Sequence, residues 1–395
     1  MGIQSYKLLT GLYKTGNYDI VEIAGSLAKI DPPVSYFEGI KLYNTSDGYG
    51  NPNMLRQILQ IEHPDIVLVF SDPRFFEYMF SIDDEIRPLT KIVLYHTWDN
   101  EPFPSFNLPF YAACDKIVML SKFSYDLMKS GGVDCSFIPH GFDPKEFFPV
   151  SEEVRKETRN KVLEPLIKSG INPNFVLLWN NRNIARKRPG TIIEAFSKFI
   201  EIHSDSALIL NSDVIDKEGT DFHRLIEHFG TDVRRRVIFN PKRISTSELN
   251  NLYNIADVTL NLSFNEGFGL STSESLLAGT PVIVTKTGGL TDQVEDSVNN
   301  TKYGLTIKPK VRDLFGVITQ PFIYRDFVST EDVVEALNFA YEENQQGSWR
   351  RKGLEGRKYI MEKFPETRTI ELWDNLLKEI HSNPSIFKRE RISVH

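Results

Sequence analysis

Two carboxylates, Glu266 and Glu274, flank a glycine-broken loop, Gly267-Phe268-Gly269, with seven residues between them. A strand over Val258–Ser263, with alternating apolar residues, leads into the loop, a helix is expected to start near Ser271, and the apolar triplet Val282-Ile283-Val284 follows. Glycine admits φ > 0 and lets a ligand approach the backbone. The first N–H groups of a helix have no partner within it and attract anions. An acid on each side of such a cradle suits a ligand that is anionic and also carries sugar hydroxyls. Ser271-x-x-Glu274 also reads as a capping box, in which Glu274 only satisfies the backbone N–H of Ser271.

A second cluster is cationic. Phe175–Trp179 reads as a buried strand and ends in Asn180-Asn181-Arg182-Asn183-Ile184-Ala185-Arg186-Lys187-Arg188-Pro189-Gly190, before a helix over Thr191–Ile200. Guanidinium forks and an ammonium on a strand-end loop, next to a helix start, are what a diphosphate needs. Arg186 and Arg188 flank Lys187, so the phosphate partner is open by one position. Arg234-Arg235-Arg236 precedes a strand and is read as surface. Thr287-Gly288-Gly289-Leu290-Thr291-Asp292 follows the next strand, and its glycines are expected to bring backbone against the ligand from the side opposite Glu266. No Asp-x-Asp pair sits at a strand end, and Asp83-Asp84-Glu85 is read as a turn, so no metal site is expected.

These residues need rigid elements to hold them. Ile66–Phe70, Lys91–Tyr95, Asp115–Leu120 and Ser136–Ile138 are continuous apolar runs that end in Ser71-Asp72, His96, Ser121 and Pro139-His140-Gly141. Phe175–Trp179, Ala207–Leu210, Val237–Phe239, Val258–Leu262 and Val282–Val284 repeat the pattern. Continuous apolar strands alternating with helices indicate parallel sheets covered on both faces, with ligands off the carboxyl ends. His96, Asp72 and Ser121 stand at such ends, where hydrogen-bonded structural roles compete with functional ones. Residues 3–15 read as a helix and 18–24 as strand-like, so the first strand of a doubly wound domain is expected to be missing ahead of Gly2. The polar helix Ser151–Lys168 reads as an interdomain connection. Residues 303–330 are read as irregular, with helices expected over 331–341, 347–363 and 366–380.

The bulk properties bound the function. At 395 residues, two domains are the default. A net charge of −7 argues against nucleic acid as the partner. No apolar run is long enough to span a bilayer, and no signal segment is expected from the opening residues. Two cysteines without C-x-x-C spacing indicate neither a disulfide framework nor a zinc site and fit a cytoplasmic protein. Lys388, Arg389 and Arg391 leave peripheral contact with an acidic membrane surface open beside a solvated tail.

Arg182 with Lys187 five residues on, Glu266-Gly-Phe-Gly…Glu274 ending in Ala278-Gly279-Thr280-Pro281-Val282, and Gly288-Gly289 together resemble the retaining glycosyltransferases of family four. The likeness is specific over 175–295, present in Ile138-Pro139-His140-Gly141-Phe142-Asp143, and looser over 15–135. It implies the GT-B fold: two Rossmann-like, doubly wound parallel-sheet α/β domains facing a central cleft. Residues 1–145 would form the acceptor side, completed by the helix 366–395, and 146–365 would bind the donor. By this resemblance Arg182 and Lys187 hold the donor diphosphate, Glu274 the ribose, and Glu266 the transferred sugar. Gly267, Gly289 and the N–H groups of Phe268, Gly269 and Leu270 contact sugar and phosphate. His96 faces the sugar, and Gly2, Asp72 and Ser121 lie on the acceptor side. Implied is retaining, metal-independent hexose transfer from a GDP-mannose or UDP-glucose type donor, slightly toward GDP, to a glycan, lipid-linked or small-molecule acceptor. Competing readings are a nucleotide-sugar-binding protein that does not catalyse, a chain truncated at its start, and an epimerase or phosphorylase on the same fold.

Overall fold

The structure, a computed structural model, describes residues 2–25, 33–45 and 48–383; the basic tail lies outside them. The chain divides into two compact units. One comprises Met1–Gly141, Gly316–Phe322 and Glu366–His395, and the other Phe142–Phe315 and Ile323–Pro365.

The first unit opens with the helix Gly2–Lys14, which buries Leu8 and Leu12. Strands β1 (Val21–Ala24), β2 (Val34–Phe37) and β3 (Ile40–Asn44) form a small sheet in the order β1-β3-β2, with β1 parallel and β2 antiparallel to β3. Strands β4 (Ile66–Ser71), β5 (Lys91–His96), β6 (Lys116–Met119) and β7 (Cys135–Phe137) form a four-stranded parallel sheet in chain order. β5 is buried along its whole length, as a central strand covered on both faces must be. The helix Glu366–Ser382 is part of this unit. Its Trp373 packs edge-to-face on Tyr95 at 4.9 Å, and Asp374 accepts the Tyr18 hydroxyl at 2.7 Å. Gly11 lies so close to this helix that a Cβ there would meet Ile370 Cδ1 at 2.4 Å.

The second unit holds β8 (Phe175–Asn180), β9 (Ser206–Asn211), β10 (Val237–Asn240), β11 (Val258–Asn261), β12 (Val282–Thr285) and a last strand, Leu305–Ile307. All pairings are parallel and the order is β10-β9-β8-β11-β12-last. Apart from the terminal Asn180 and Asn211, β8, β9, β11 and β12 are buried, and Trp179, Phe196, Phe199 and Trp349 fill the layers beside them. Each such side chain contributes roughly 1.5–3 kcal/mol of apolar burial. The order of strands reverses between β8 and β11, the place where a doubly wound sheet opens a crevice at its carboxyl edge. The polar helix Glu152–Lys168 is fastened by charge. Buried Asp257 accepts Arg155 at 2.9 Å, Arg159 at 2.8 Å and the Val176 N–H at 2.8 Å, tying the helix to the starts of β8 and β11.

Two expectations are corrected. Asp83-Asp84-Glu85 opens a short helix, Asp83–Ile86, and Asp83 and Glu85 pair with Arg87 and Arg56, which is why no turn forms. Residues 303–330 contain the last sheet strand and a hairpin, Val311–Val317 with Gln320–Phe327. The first hairpin strand is exposed throughout, so no buried face marks it in the sequence. Among the described residues, no helix is long and apolar enough to cross a membrane.

Candidate functional site

The loops after β8 and β11 leave the sheet on either side of its switch point, and they are bonded together. After β8 the chain makes a 3-10 turn, Ala185–Lys187, and Arg188 turns left-handed (φ 53°) to start the helix Pro189–Ile202. The carbonyl of Arg186 accepts the N–H of Phe264 at 3.2 Å, which places the cationic loop against the Glu266 loop.

Glu266 is the centre of that contact. Its Oε2 is paired with Lys187 Nζ, lies 3.3 Å from Arg186 Nη1, and accepts the Ser263 hydroxyl at 3.1 Å. Glu266 and Lys187 side chains are 10% and 11% exposed, so the pair is nearly desolvated. Burial alone would raise the Glu266 carboxyl, but the Lys187 and Arg186 charges outweigh it and hold it down to about 2. The result is a fixed anion carrying two cations at the lip of a sheet. Lys187 and Arg186 can meet phosphate oxygens, while the carboxylate can accept sugar hydroxyls.

The glycine cradle has a steric origin. Gly269 sits at φ 95°, and a Cβ there would meet Leu290 Cδ2 at 2.4 Å. It is the N-cap of the helix Leu270–Leu277, and no side chain caps that end. The alternative reading of Ser271-x-x-Glu274 as a capping box does not hold: the helix starts before Ser271, and Ser271 is not its cap. Glu274 accepts the buried Tyr253 hydroxyl at 2.7 Å instead. Gly289 is tied to the same loop. Its N–H donates to the Glu266 carbonyl at 2.9 Å and its carbonyl accepts from Gln293 at 3.4 Å, so its backbone groups shape the loop. A Cβ on Gly289 would meet the Gly267 carbonyl at 2.3 Å, which explains the glycine. Buried Gln293 also donates to the Phe268 carbonyl and accepts from Ser273, locking the cradle to the helix that follows it.

Of the other expected residues, Arg182 is half exposed and committed to Asp216 (2.8 Å) and Glu218 (3.2 Å). Arg188 donates to the Val328 carbonyl and the Thr191 hydroxyl, a structural role. In the first unit, Gly2 begins the opening helix and is exposed. Asp72 caps the turn Pro73–Phe76 and takes a two-pronged Arg74 at 2.8 and 2.6 Å. Ser121 caps the helix Lys122–Ser130 by accepting the Ser124 N–H at 3.2 Å. His96 is fully buried, with Nε2 2.9 Å from the Tyr111 hydroxyl. Burial lowers its pKa to about 4 despite nearby Asp72, so the ring is neutral near pH 7.

Sequence reasoning missed Tyr253, Ser263 and Gln293, which hold the two glutamates and the cradle. It also missed Asn211 and Asn240, which join Asn180 in a row across three strand ends. The one signal available was that β8, β9, β10 and β11 each end in asparagine.

The parallel sheets match the GT-B fold. Sucrose-phosphate synthase from Thermosynechococcus elongatus has this fold with a TM-score of 0.70 and 16% identity, covering 94% of this chain and 91% of that one. The HepE protein of Anabaena, solved with UDP-glucose, follows at a TM-score of 0.62 and 16% identity over 86% of each chain. Residues 168–318 match the family Glycosyl transferases group 1, and the chain carries a domain of that family. Mannosylfructose-phosphate synthase of Agrobacterium fabrum is 27% identical over 188 residues, 46% of this chain and 39% of that protein. Alpha-monoglucosyldiacylglycerol synthase of Acholeplasma laidlawii is 31% identical over 190 residues, 47% of this chain and 45% of that protein. The alignments therefore span less than half the length of either relative.

Proposed function

We propose that this protein is a retaining glycosyltransferase that moves a hexose from a nucleoside-diphosphate sugar to an acceptor hydroxyl. The observation that carries the reading is the Lys187–Arg186–Glu266 cluster beside the uncapped helix start at Gly269, set at the switch point of a doubly wound sheet. Lys187 and Arg186 take the diphosphate, with Arg182 reaching it by releasing Asp216. Glu266 accepts hydroxyls of the sugar, and the N–H groups of Phe268, Gly269 and Leu270 contact sugar and phosphate. Glu274 binds the ribose. The UDP-glucose held by HepE supports a donor of this class.

In the proposed step the bond from the anomeric carbon to the diphosphate oxygen breaks. The acceptor oxygen bonds to the same face, and its proton passes to the departing phosphate oxygen. The two cations stabilise the charge left on the diphosphate. Acceptor recognition is assigned to the first unit, and the acceptor is a hydroxyl of a glycan, a lipid-linked sugar or a small molecule.

A thermal-shift screen of UDP- and GDP-linked hexoses identifies the donor, and NMR of the product reads the anomeric configuration. A stabilising donor and a product of retained configuration support the reading. Inverted configuration overturns the mechanism. Binding without turnover for every donor and acceptor class marks a nucleotide-sugar-binding protein instead.

A further inference from the structure

We infer that Asn180, Asn211, Asn240 and Tyr253 form a polarised hydrogen-bond relay whose end sets the position of Glu274, making them positioning residues for the donor ribose. The inference rests on the proposed nucleotide-sugar site and deepens it.

Asn180, Asn211 and Asn240 are the last residues of β8, β9 and β10 and face one another in register. Neighbouring strands lie roughly 4.8 Å apart, which lets side-chain amides of paired residues bond directly. They do: Asn240 Nδ2 donates to Asn211 Oδ1 at 2.7 Å, and Asn211 Nδ2 donates to Asn180 Oδ1 at 2.7 Å. Asn180 Nδ2 then donates to the Tyr253 hydroxyl at 2.6 Å, and that hydroxyl donates to Glu274 Oε2 at 2.7 Å.

The direction of every bond follows from the carboxylate at the end. An ionised carboxylate only accepts, so Tyr253 must donate its single proton to Glu274. The Tyr253 oxygen can then only accept from Asn180, which turns the Asn180 carbonyl toward Asn211. The same constraint passes to Asn240. A chain aligned in one direction polarises each member and strengthens the last bond. Tyr253 is fully buried on the helix Thr246–Ile255, so it has no solvent partner to choose instead. Asn261, the strand-end asparagine of β11, is outside the chain: its Oδ1 lies 2.8 Å from the Ser263 hydroxyl, whose one proton it shares with Glu266.

Asn211→Asp reverses the relay at constant shape. The new carboxylate cannot donate to Asn180, whose amide then turns its N–H groups toward Asp and its carbonyl toward Tyr253. The hydroxyl of Tyr253 is drawn from Glu274. Calorimetry with UDP, GDP and the 2′,3′-dideoxy analogue of whichever binds reads the outcome. Asn211→Asp and Tyr253→Phe are each expected to weaken binding about tenfold. In each, the preference for the ribose form over its dideoxy analogue shrinks. The double variant should be no weaker than Tyr253→Phe alone, because one relay has been cut once.

Additive losses would mean that Asp acts directly on the diphosphate, and would overturn the relay. Unchanged affinity, or an unchanged preference for the ribose form, would overturn it too. If the wild type binds neither nucleotide, the nucleotide-sugar reading itself fails. Asn211→Asp carries the test alone if Tyr253→Phe does not fold.

Discussion

Replacing Glu266 with Gln keeps the side-chain volume and deletes the charge that two cations face. Glu266 and Lys187 are 10% and 11% exposed, so the Lys187 ammonium would be left desolvated beside a neutral amide. Removing one partner of a buried pair costs about 3–5 kcal/mol. Arg186 is 33% exposed and recovers much of its hydration, which places the expected cost at about 3 kcal/mol. Lys187→Met should cost less, about 1–2 kcal/mol, because Glu266 keeps Arg186 at 3.3 Å and the Ser263 hydroxyl at 3.1 Å. The acid dependence has a definite sign. The Glu266 carboxyl is held at about 2, below its ordinary 4.5, so its contribution is complete above about pH 4.5 and is lost as pH falls toward 2. The penalty of Glu266→Gln should therefore shrink on acidification. Urea unfolding of wild type, Glu266→Gln, Lys187→Met and the double variant measures both the costs and the coupling. A Glu266→Gln cost below about 1 kcal/mol, or one smaller than that of Lys187→Met, would refute the assignment of Glu266 as the hub.

Gly289→Ala forces a methyl to within 2.3 Å of the Gly267 carbonyl, so it should weaken nucleotide binding at least tenfold while the far-UV spectrum is kept; unchanged affinity would show that the cradle yields. If Lys187 and Arg186 neutralise the leaving diphosphate, transfer persists in EDTA, and loss of activity restored by Mg²⁺ or Mn²⁺ would contradict that. Burial lowers His96 to about 4, so this ring stabilises the first unit fully above pH 6.5 and less as pH falls toward 4. The expected slope is about 1.4 kcal/mol per pH unit where the unfolded state alone is protonated. Urea midpoints between pH 7 and 5 should fall less steeply in His96→Asn than in wild type.

β8, β9 and β12 were legible because they are buried on both faces and are almost wholly apolar, whereas the last strand, Leu305–Ile307, is three residues long and mostly half-buried and was read as irregular. Val311–Val317 carries no such mark, since water reaches all of it. β2 and β3 were missed for a related reason: both are short, and β2 ends in exposed Tyr36 and Phe37. At the site, residue types and spacing singled out Lys187, Glu266 and the glycine cradle. Of the two readings of Glu274, the local capping box fails, because its partner Tyr253 lies 21 residues away on another helix. A capping box is a local pattern, and the fold brought in a nonlocal donor. Gly289 was recognised as needed, but only packing reveals that its N–H is spent on the Glu266 carbonyl. Arg182 stands out in the sequence as a cation, but its partners Asp216 and Glu218 belong to no motif.

Release of nucleoside diphosphate from a panel of UDP- and GDP-linked hexoses tests the central claim most directly. The comparison is between wild type, Lys187→Ala and a surface control, Arg234→Ala. The account predicts turnover of one donor, a loss of about 100-fold or more in Lys187→Ala with folding intact, and no change in Arg234→Ala. Turnover that survives Lys187→Ala undiminished, or the absence of binding and turnover for every donor, would contradict it.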